Sequence, residues 1–269
     1  MRTQHLHLQV LLNLCVVLFC GAANAADEQS NLNIARINGK PNFNGIWQAM
    51  NTAHWNLEAH SAEAIEQFAN TGAFSGIPAG PSYVSGGTIP YLPEALALRD
   101  SNRVSAPTLD PAISCFMPGI PRATYMPYPF QIVQGDADLM FVYAFATSNR
   151  VIHMGTVDEA PIDMWMGWSR GHWEGDTLVV EVTSNDDRTW FDRAGNHHSY
   201  MLKVTERYTA LDANHLQYEA TIEDPLTFSA PWTINMPLYR NIEPGAELLE
   251  YKCIDFAEDL LYGELEKQD

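Results

Sequence analysis

The stretch YMLKVTERYTALDANHLQYEATIED, residues 200–224, decides the fold. Two runs alternate between apolar and polar side chains, and Asp212-Ala213-Asn214 separates them. Alternation with a period of two marks strands with one buried face, and a short Asp/Asn break between two such runs marks a hairpin. The same texture extends upstream. FQIVQ and LMFVYAF flank Gly135-Asp136, while WMGWSRGHW and TLVVEVTS flank Glu174-Gly175-Asp176. RVIHMG, APWTINMPLYR and LLEYKCIDF supply further strands. About nine strands at short spacing predict a mainly β fold, an antiparallel meander. Open edges are a liability, so the meander is expected to close into a barrel, with a β-sandwich as the alternative.

Within the decisive hairpin, Val204, Glu206 and Tyr208 share one face, and Thr205, Arg207 and Thr209 the other. Either Glu206 points inward, and must be paired, protonated or wet, or it is solvated and the other face is buried. The pattern leaves both readings open.

Upstream of this β domain, placed at 129–269, the texture differs. Residues 1–25 read as a secretory signal peptide. Arg2 precedes an apolar run from Val10 to Phe19, and Ala23-Asn24-Ala25 offers a small-residue cleavage pattern. Residues 26–128 form an N-terminal arm rich in proline and glycine, with one or two short helices. Glu58 to Ala69 carries good helix formers, and a second helix begins at Pro93, which suits a first turn. Pro111, Pro118, Pro121, Pro127 and Pro129 make the following stretch extended and keep it out of any sheet interior.

Charge and cysteine content narrow the function classes. The chain holds 33 Asp and Glu against 15 Lys and Arg, which disfavours nucleic acid and anionic membranes as partners. No stretch after the leader is apolar for long enough to cross a bilayer as a helix, so stable membrane insertion is not expected. With Cys15 and Cys20 in the leader, Cys115 and Cys253 remain, and in an oxidising compartment they most simply form a disulfide. Nothing in the sequence sets the oligomeric state.

Motifs for bound cofactors are missing. There is no glycine-rich phosphate loop after a strand, no G-x-S-x-G, no H-E-x-x-H and no C-x-x-C. No cofactor and no metal is expected. His153, His172 and His198 are the only histidine set that neighbouring strands bring into question as ligands, and no spacing fixes it.

Several long blocks resemble a large, mostly uncharacterised family of secreted bacterial proteins. They are NGIWQAMNTAHW, CFMPGIPRATYMPYPFQIVQ, SRGHWEGDTLVV and TWFDRAGNHHS. In that family the last block reads TWFDxAGNFHS, so His198 matches the shared histidine and His197 replaces an aromatic residue. The family's cysteine near the end is followed by His-Glu, where this chain has Ile254 and Asp255. The resemblance implies export and kinship and carries no reaction with it. A second likeness is to the lipocalin-like barrels. Gly45 and Trp47 stand in the G-x-W spacing of their first strand, and Arg240 is a candidate closing arginine. That likeness implies a cup with an apolar interior and a ligand mouth ringed by loops.

The richest polar constellation joins TWFDRAGNHHS, residues 189–199, to the hairpin carrying Trp165, Trp168, Arg170 and His172. The expected chemistry is acid–base: His198 as the proton carrier, Asp192 or Glu206 orienting it, with His172 as a further candidate. Arg170 or Arg122 would hold a developing negative charge. Trp165, Trp168, Trp190 and Tyr208 would bind an apolar or aromatic ligand, with Asn196 as a polar contact. The bland readings stand beside these. Asp192 bonds its own loop backbone, Arg170 stacks on tryptophan, Arg207 pairs with Glu219, and Asp224-Pro225 opens a turn. The expected function is a periplasmic or secreted, cofactor-independent lyase, isomerase or hydrolase acting on a small, partly apolar molecule. The alternative is a non-catalytic lipocalin-like carrier of a hydrophobic ligand.

Overall fold

The computed structural model describes residues 34–64, 76–155 and 158–254. The decisive hairpin is β11 (Lys203–Ala210) and β12 (His215–Glu223), paired antiparallel with Glu206 opposite Ala220. It sits in a closed, nine-stranded barrel. In chain order the barrel strands are β3 (Gly45–Gln48), β6 (Phe130–Gln134), β7 (Leu139–Tyr143), β8 (Asn149–Met154), β9 (Trp168–Glu174), β10 (Thr177–Thr183), β11, β12 and β13 (Trp232–Arg240). Each pairs with the next, and β13 returns to β3. The barrel class and its three hairpins are as the alternation predicts.

The meander is not wholly antiparallel, because β8 and β9 run parallel. Residues 155–167 separate them, long enough for the crossover that a parallel pair needs. The ninth strand also differs from expectation. LLEYKCIDF has no strand in its described part, up to Ile254, and β3 of the G-x-W segment closes the barrel instead. The barrel therefore begins inside the stretch assigned to the arm. Arg240 packs its guanidinium 4.3 Å from the Trp47 ring and donates to the carbonyls of Asn42, Asn44 and Ala213.

Each end of the barrel is covered. At one end, β1 (Arg36–Ile37) and β2 (Lys40–Pro41) form a small hairpin. Arg36 reaches Asp176 and Asn38 reaches Asp136, while Phe43 packs on Trp173 with ring centroids 5.3 Å apart. At the other end lie the arm and the loop between β10 and β11. Because β13 meets β3 only at Tyr239 and Arg240, its upper part is unpaired on that side. The arm fills the gap, with Ser85 donating to Thr233 and Asn235 to Tyr83.

The arm holds α1 (Pro93–Leu109) and α2 (Arg122–Tyr125), the first with proline in its opening turn as expected. The helix expected over 58–69 is absent from its described part. His60 exchanges two 3.0 Å backbone hydrogen bonds with Gly80, and β4 (Glu63–Ala64) pairs with β5 (Gly76–Ile77). Extended pairing has outcompeted the helix propensity of that composition. Residues 65–69 of that expectation lie outside the described residues.

Inside the barrel, Val204, Glu206 and Tyr208 point inward. Glu206 is fully buried and meets Arg150 of β8 at 2.6 Å. Tyr208 and Tyr218 each donate to Glu206, at 2.9 and 2.8 Å. Arg150 also donates to the hydroxyls of Tyr143, Tyr208 and Ser169. Burial alone would lower the Arg150 guanidinium, but Glu206 beside it holds it well above its ordinary value. Burial, with Glu206 adding to it, also lifts the Tyr208 and Tyr218 phenols far above theirs, so both hydroxyls stay protonated donors. The surrounding core is aromatic and branched: Phe130, Phe141, Tyr143, Val180, Ile222 and Trp232 among others.

Cys115 and Cys253 form the expected disulfide, with Cα atoms 5.6 Å apart and a separation of 138 positions in sequence. The chain-entropy model gives a bridge across such a loop about 5 kcal/mol. Cys253→Ser should therefore lower the unfolding free energy by a large part of that amount in urea titrations. A loss below about 1 kcal/mol would show that the tail adds nothing to the closed state. Glu206→Gln strands the buried Arg150 charge, and should cost about 3–5 kcal/mol. Arg150→Met added to Glu206→Gln should restore part of that stability; a double variant less stable than Glu206→Gln would contradict the pairing.

Candidate functional site

TWFDRAGNHHS forms a knot at the arm-covered end rather than an open turn. Trp190 bridges to His197, and Phe191 N–H donates to Asn196 at 2.7 Å, closing the loop on itself. Asp192 is fully buried at its centre. Its carboxylate accepts from Ala194 N–H, Asn196 N–H and the Asn196 amide, and from Leu57 N–H of the arm at 2.8 Å. Burial outweighs these donors and raises Asp192 to about 6. Gly195 lies against α1: an added Cβ would come 2.6 Å from the Arg103 amide nitrogen. No side chain fits there without moving the helix.

His198 is not paired with either carboxylate. Its Nδ1 donates to the Ser199 carbonyl at 2.9 Å, so Nε2 faces Thr189 Oγ1, 2.7 Å away, as an acceptor. Burial lowers its pKa. Asp192 is occupied by loop and arm amides, and Glu206 sits inside the barrel. The expected His198–carboxylate pair is therefore corrected: Asp192 holds the loop's backbone, as the bland reading had it. His197 stands against Tyr91 at 5.8 Å, with Nδ1 buried and unpartnered, and burial takes it down to about 4. Asn196 accepts from the Tyr91 hydroxyl at 3.0 Å, so it ties loop to arm and offers no free amide.

The other expected residues are dispersed. Arg122 is buried and makes two 2.7 Å bonds to Asp110. Arg170 lies 3.8 Å from Glu181 across the outer face of the β9–β10 hairpin, and His172, also outward, pairs with Glu174. Arg207 pairs with Glu174 rather than Glu219. Trp165 is clamped between Phe116 and Arg188, while Trp168 stacks on His153. Trp190 is half-buried in the loop, and Tyr208 belongs to the barrel interior. Asp224 opens its turn and also holds Ser199. Arg170 and His172 lie on the outer face of β9, away from the loop, so the constellation expected from the sequence does not assemble. Among the described residues no group of three His, Cys, Asp or Glu side chains is arranged to hold a metal ion.

The structure instead opens a cleft beside the knot. It has a volume of about 560 Å³ and lies between Trp55, β4, the last turns of α1 and the loop residues Arg193 and Ala194. Ile77, Val104 and Pro107 give it apolar walls; His60, Glu63 and Arg103 give it polar ones. The Arg193 guanidinium lies 4.6 Å from the Trp55 ring, and Arg103 bonds both oxygens of Glu63 at 2.9 Å. His60 has Nε2 buried with no partner. Trp55 was no site candidate in the sequence, and His60 and Glu63 fell inside an expected helix. The lone signal was an aromatic and two titratable residues close together in the arm.

A scan against models of protein families gives no match, and a search of curated proteins gives none either.

The knot's buried groups make stability depend on pH. Burial holds His54, His197 and His198 below the ordinary histidine value of 6.5, while Asp192 sits above the carboxylate value of 3.8. As pH falls below 6.5, unfolding takes up protons on three histidines and releases one from Asp192. The unfolded state gains, so these groups destabilise the fold on acidification, each net proton adding about 1.4 kcal/mol per pH unit to the slope. Denaturant titrations from neutral pH down to pH about 5 should show this loss, and His197→Gln should lessen the slope by about one proton. Stability that is flat or rising on acidification would contradict the assignment.

Proposed function

We propose that this chain is an exported, cofactor-independent protein that takes a small, partly aromatic molecule into the Trp55 cleft and performs acid–base chemistry on it there. A lyase, isomerase or hydrolase reaction fits that reading. One observation carries it: the cleft joins an aromatic wall and apolar sides to a histidine with an unsatisfied ring nitrogen. Concave, mostly apolar sites with few convergent polar groups are where small ligands bind. The residues first expected to do the chemistry are engaged in structural bonds, which moves the reading from His198 to the cleft. The Cys115–Cys253 bridge supports an oxidising compartment, in keeping with the leader at residues 1–25.

The carrier alternative asks for a ligand inside the barrel. The interior is packed with Phe130, Phe141, Tyr143, Tyr208 and Trp232 around the Arg150–Glu206 pair, and both ends are covered. A hydrophobic ligand there would face a buried charge pair, so the cleft is the better site.

Thermal-shift screening with a panel of small aromatic compounds tests the reading. A compound at about a hundred times its Kd should stabilise the wild type by roughly 2.7 kcal/mol. Trp55→Ala should abolish most of that shift while keeping its own melting cooperative. Binders equally effective on Trp55→Ala would sink the cleft as the site.

A further inference from the structure

His60 stands apart from the other histidines of the arm-covered end, because its ring is held in one tautomer with its free nitrogen unspent. Backbone hydrogen bonds of 3.0 Å in each direction between His60 and Gly80 fix where the residue sits. Nδ1 lies 2.8 Å from the Glu58 carbonyl. A carbonyl only accepts, so Nδ1 carries the proton and the neutral ring presents a lone pair at Nε2. That nitrogen is buried with no partner, and buried polar atoms without partners are rare enough to need a reason. The ring also has room made for it: a Cβ on Gly80 would come 2.6 Å from His60 Cε1. The Glu58 carboxylate does not compete, since Ile89 N–H and Arg99 occupy it.

His60 is one of the residues lining the cleft, and the rest of that wall selects a ligand type. Trp55, Ile77, Val104 and Pro107 favour a flat, apolar body. The lone pair requires a donor. We propose that His60 is the acceptor that reads the ligand, taking a hydrogen bond and then the proton from a hydroxyl carried on an aromatic ring. This rests on the cleft being the binding site. The proton leaves the ligand oxygen for Nε2 while Nδ1 keeps its own, so an imidazolium and an aryloxide result. No oxidant or further reactant is involved.

The probe is 4-nitrophenol, whose ionised form absorbs visible light, with nitrobenzene as the analogue lacking the hydroxyl. The protein is the full exported chain. At a pH about one unit below the probe's own pKa, bound 4-nitrophenol should be ionised about tenfold more than free probe. Nitrobenzene should bind about tenfold more weakly than 4-nitrophenol. In nitrogen-15 spectra of the histidine rings, the His60 Nε2 signal should move to the protonated range on adding the phenol and stay put with nitrobenzene. His60→Gln should lose the visible band, and Trp55→Ala should lose binding of both compounds. Binding of 4-nitrophenol with Trp55 dependence, but with no ionisation and no change at His60 Nε2, overturns the role of His60 and leaves the cleft standing. Failure of the wild type to bind either compound overturns both readings.

Discussion

Arg150 and Glu206 meet at the centre of the barrel, 2.6 Å apart and shut away from solvent. Two charges taken out of water cost more than their attraction returns unless every remaining donor and acceptor is met. Here they are met. Arg150 spreads its donors over Glu206, Tyr143, Tyr208 and Ser169, and Glu206 accepts from two tyrosines as well. These partners come from β7, β8, β9, β11 and β12, so a single polar cluster cross-links five of the nine strands. Such a network fixes register, because sliding one strand by a residue would turn a charge out and an apolar side chain in. It also makes the barrel a solid body, and the rest of the molecule follows from that.

A barrel filled at its centre leaves no interior cup, and the cleft lies outside it, at an end. One end is closed by the β1–β2 hairpin, whose ion pair, Arg36–Asp176, is exposed enough to be of small worth. The other is built differently. Asp192 gathers the backbone of its own loop and Leu57 of the arm around one buried carboxylate, while Tyr125 donates to the Phe191 carbonyl from below. Loop, arm and barrel thereby become one unit, and the cleft beside Trp55 is walled by all but the barrel. Side chains that had the composition of a catalytic loop are spent on holding that wall in place.

The sequence carried the strands and the barrel because period-two alternation is a local signal that packing only confirms. The disulfide was readable from compartment and count. Two elements were misread for one reason, namely that the winning contact lay far away in the chain. Residues 58–64 have helical composition, yet Gly80 offers an extended partner that no window of sequence reveals. LLEYKCIDF reads as a strand, yet Cys253 is bonded to Cys115 and Tyr251 stacks on Tyr128, which draws that segment off the barrel. Glu206 was undecidable because its own face sets a carboxylate between Val204 and Tyr208. Its partner, Arg150, lies 56 positions away on a strand that alternation alone does not put opposite. His198 and Asp192 look like an acid–base pair in sequence, but a carboxylate in a tight Asp-x-Ala-Gly-Asn loop finds backbone donors before it finds a ring.

What separates a structural polar group from a working one in this molecule is how fully its bonds are used. Glu206, Arg150, Asp192 and His198 have their donors or acceptors engaged, and none has spare capacity facing a cavity. Among the described residues, the buried ring nitrogens without a partner belong to His54, His60 and His197, all at the arm-covered end. His54 faces two arginines, Arg122 and Arg193, and burial first and those charges second keep it uncharged. His197 has its ring against Tyr91 and lines none of the wide cleft. His60 alone combines an unspent lone pair, a tautomer set by a carbonyl and a place in the wall of the cleft. Among the described residues, buried polar atoms without a partner also include Arg122 Nε, Asn185 Oδ1 and Trp232 Nε1, but this nitrogen is the one that belongs to a residue of the cleft wall.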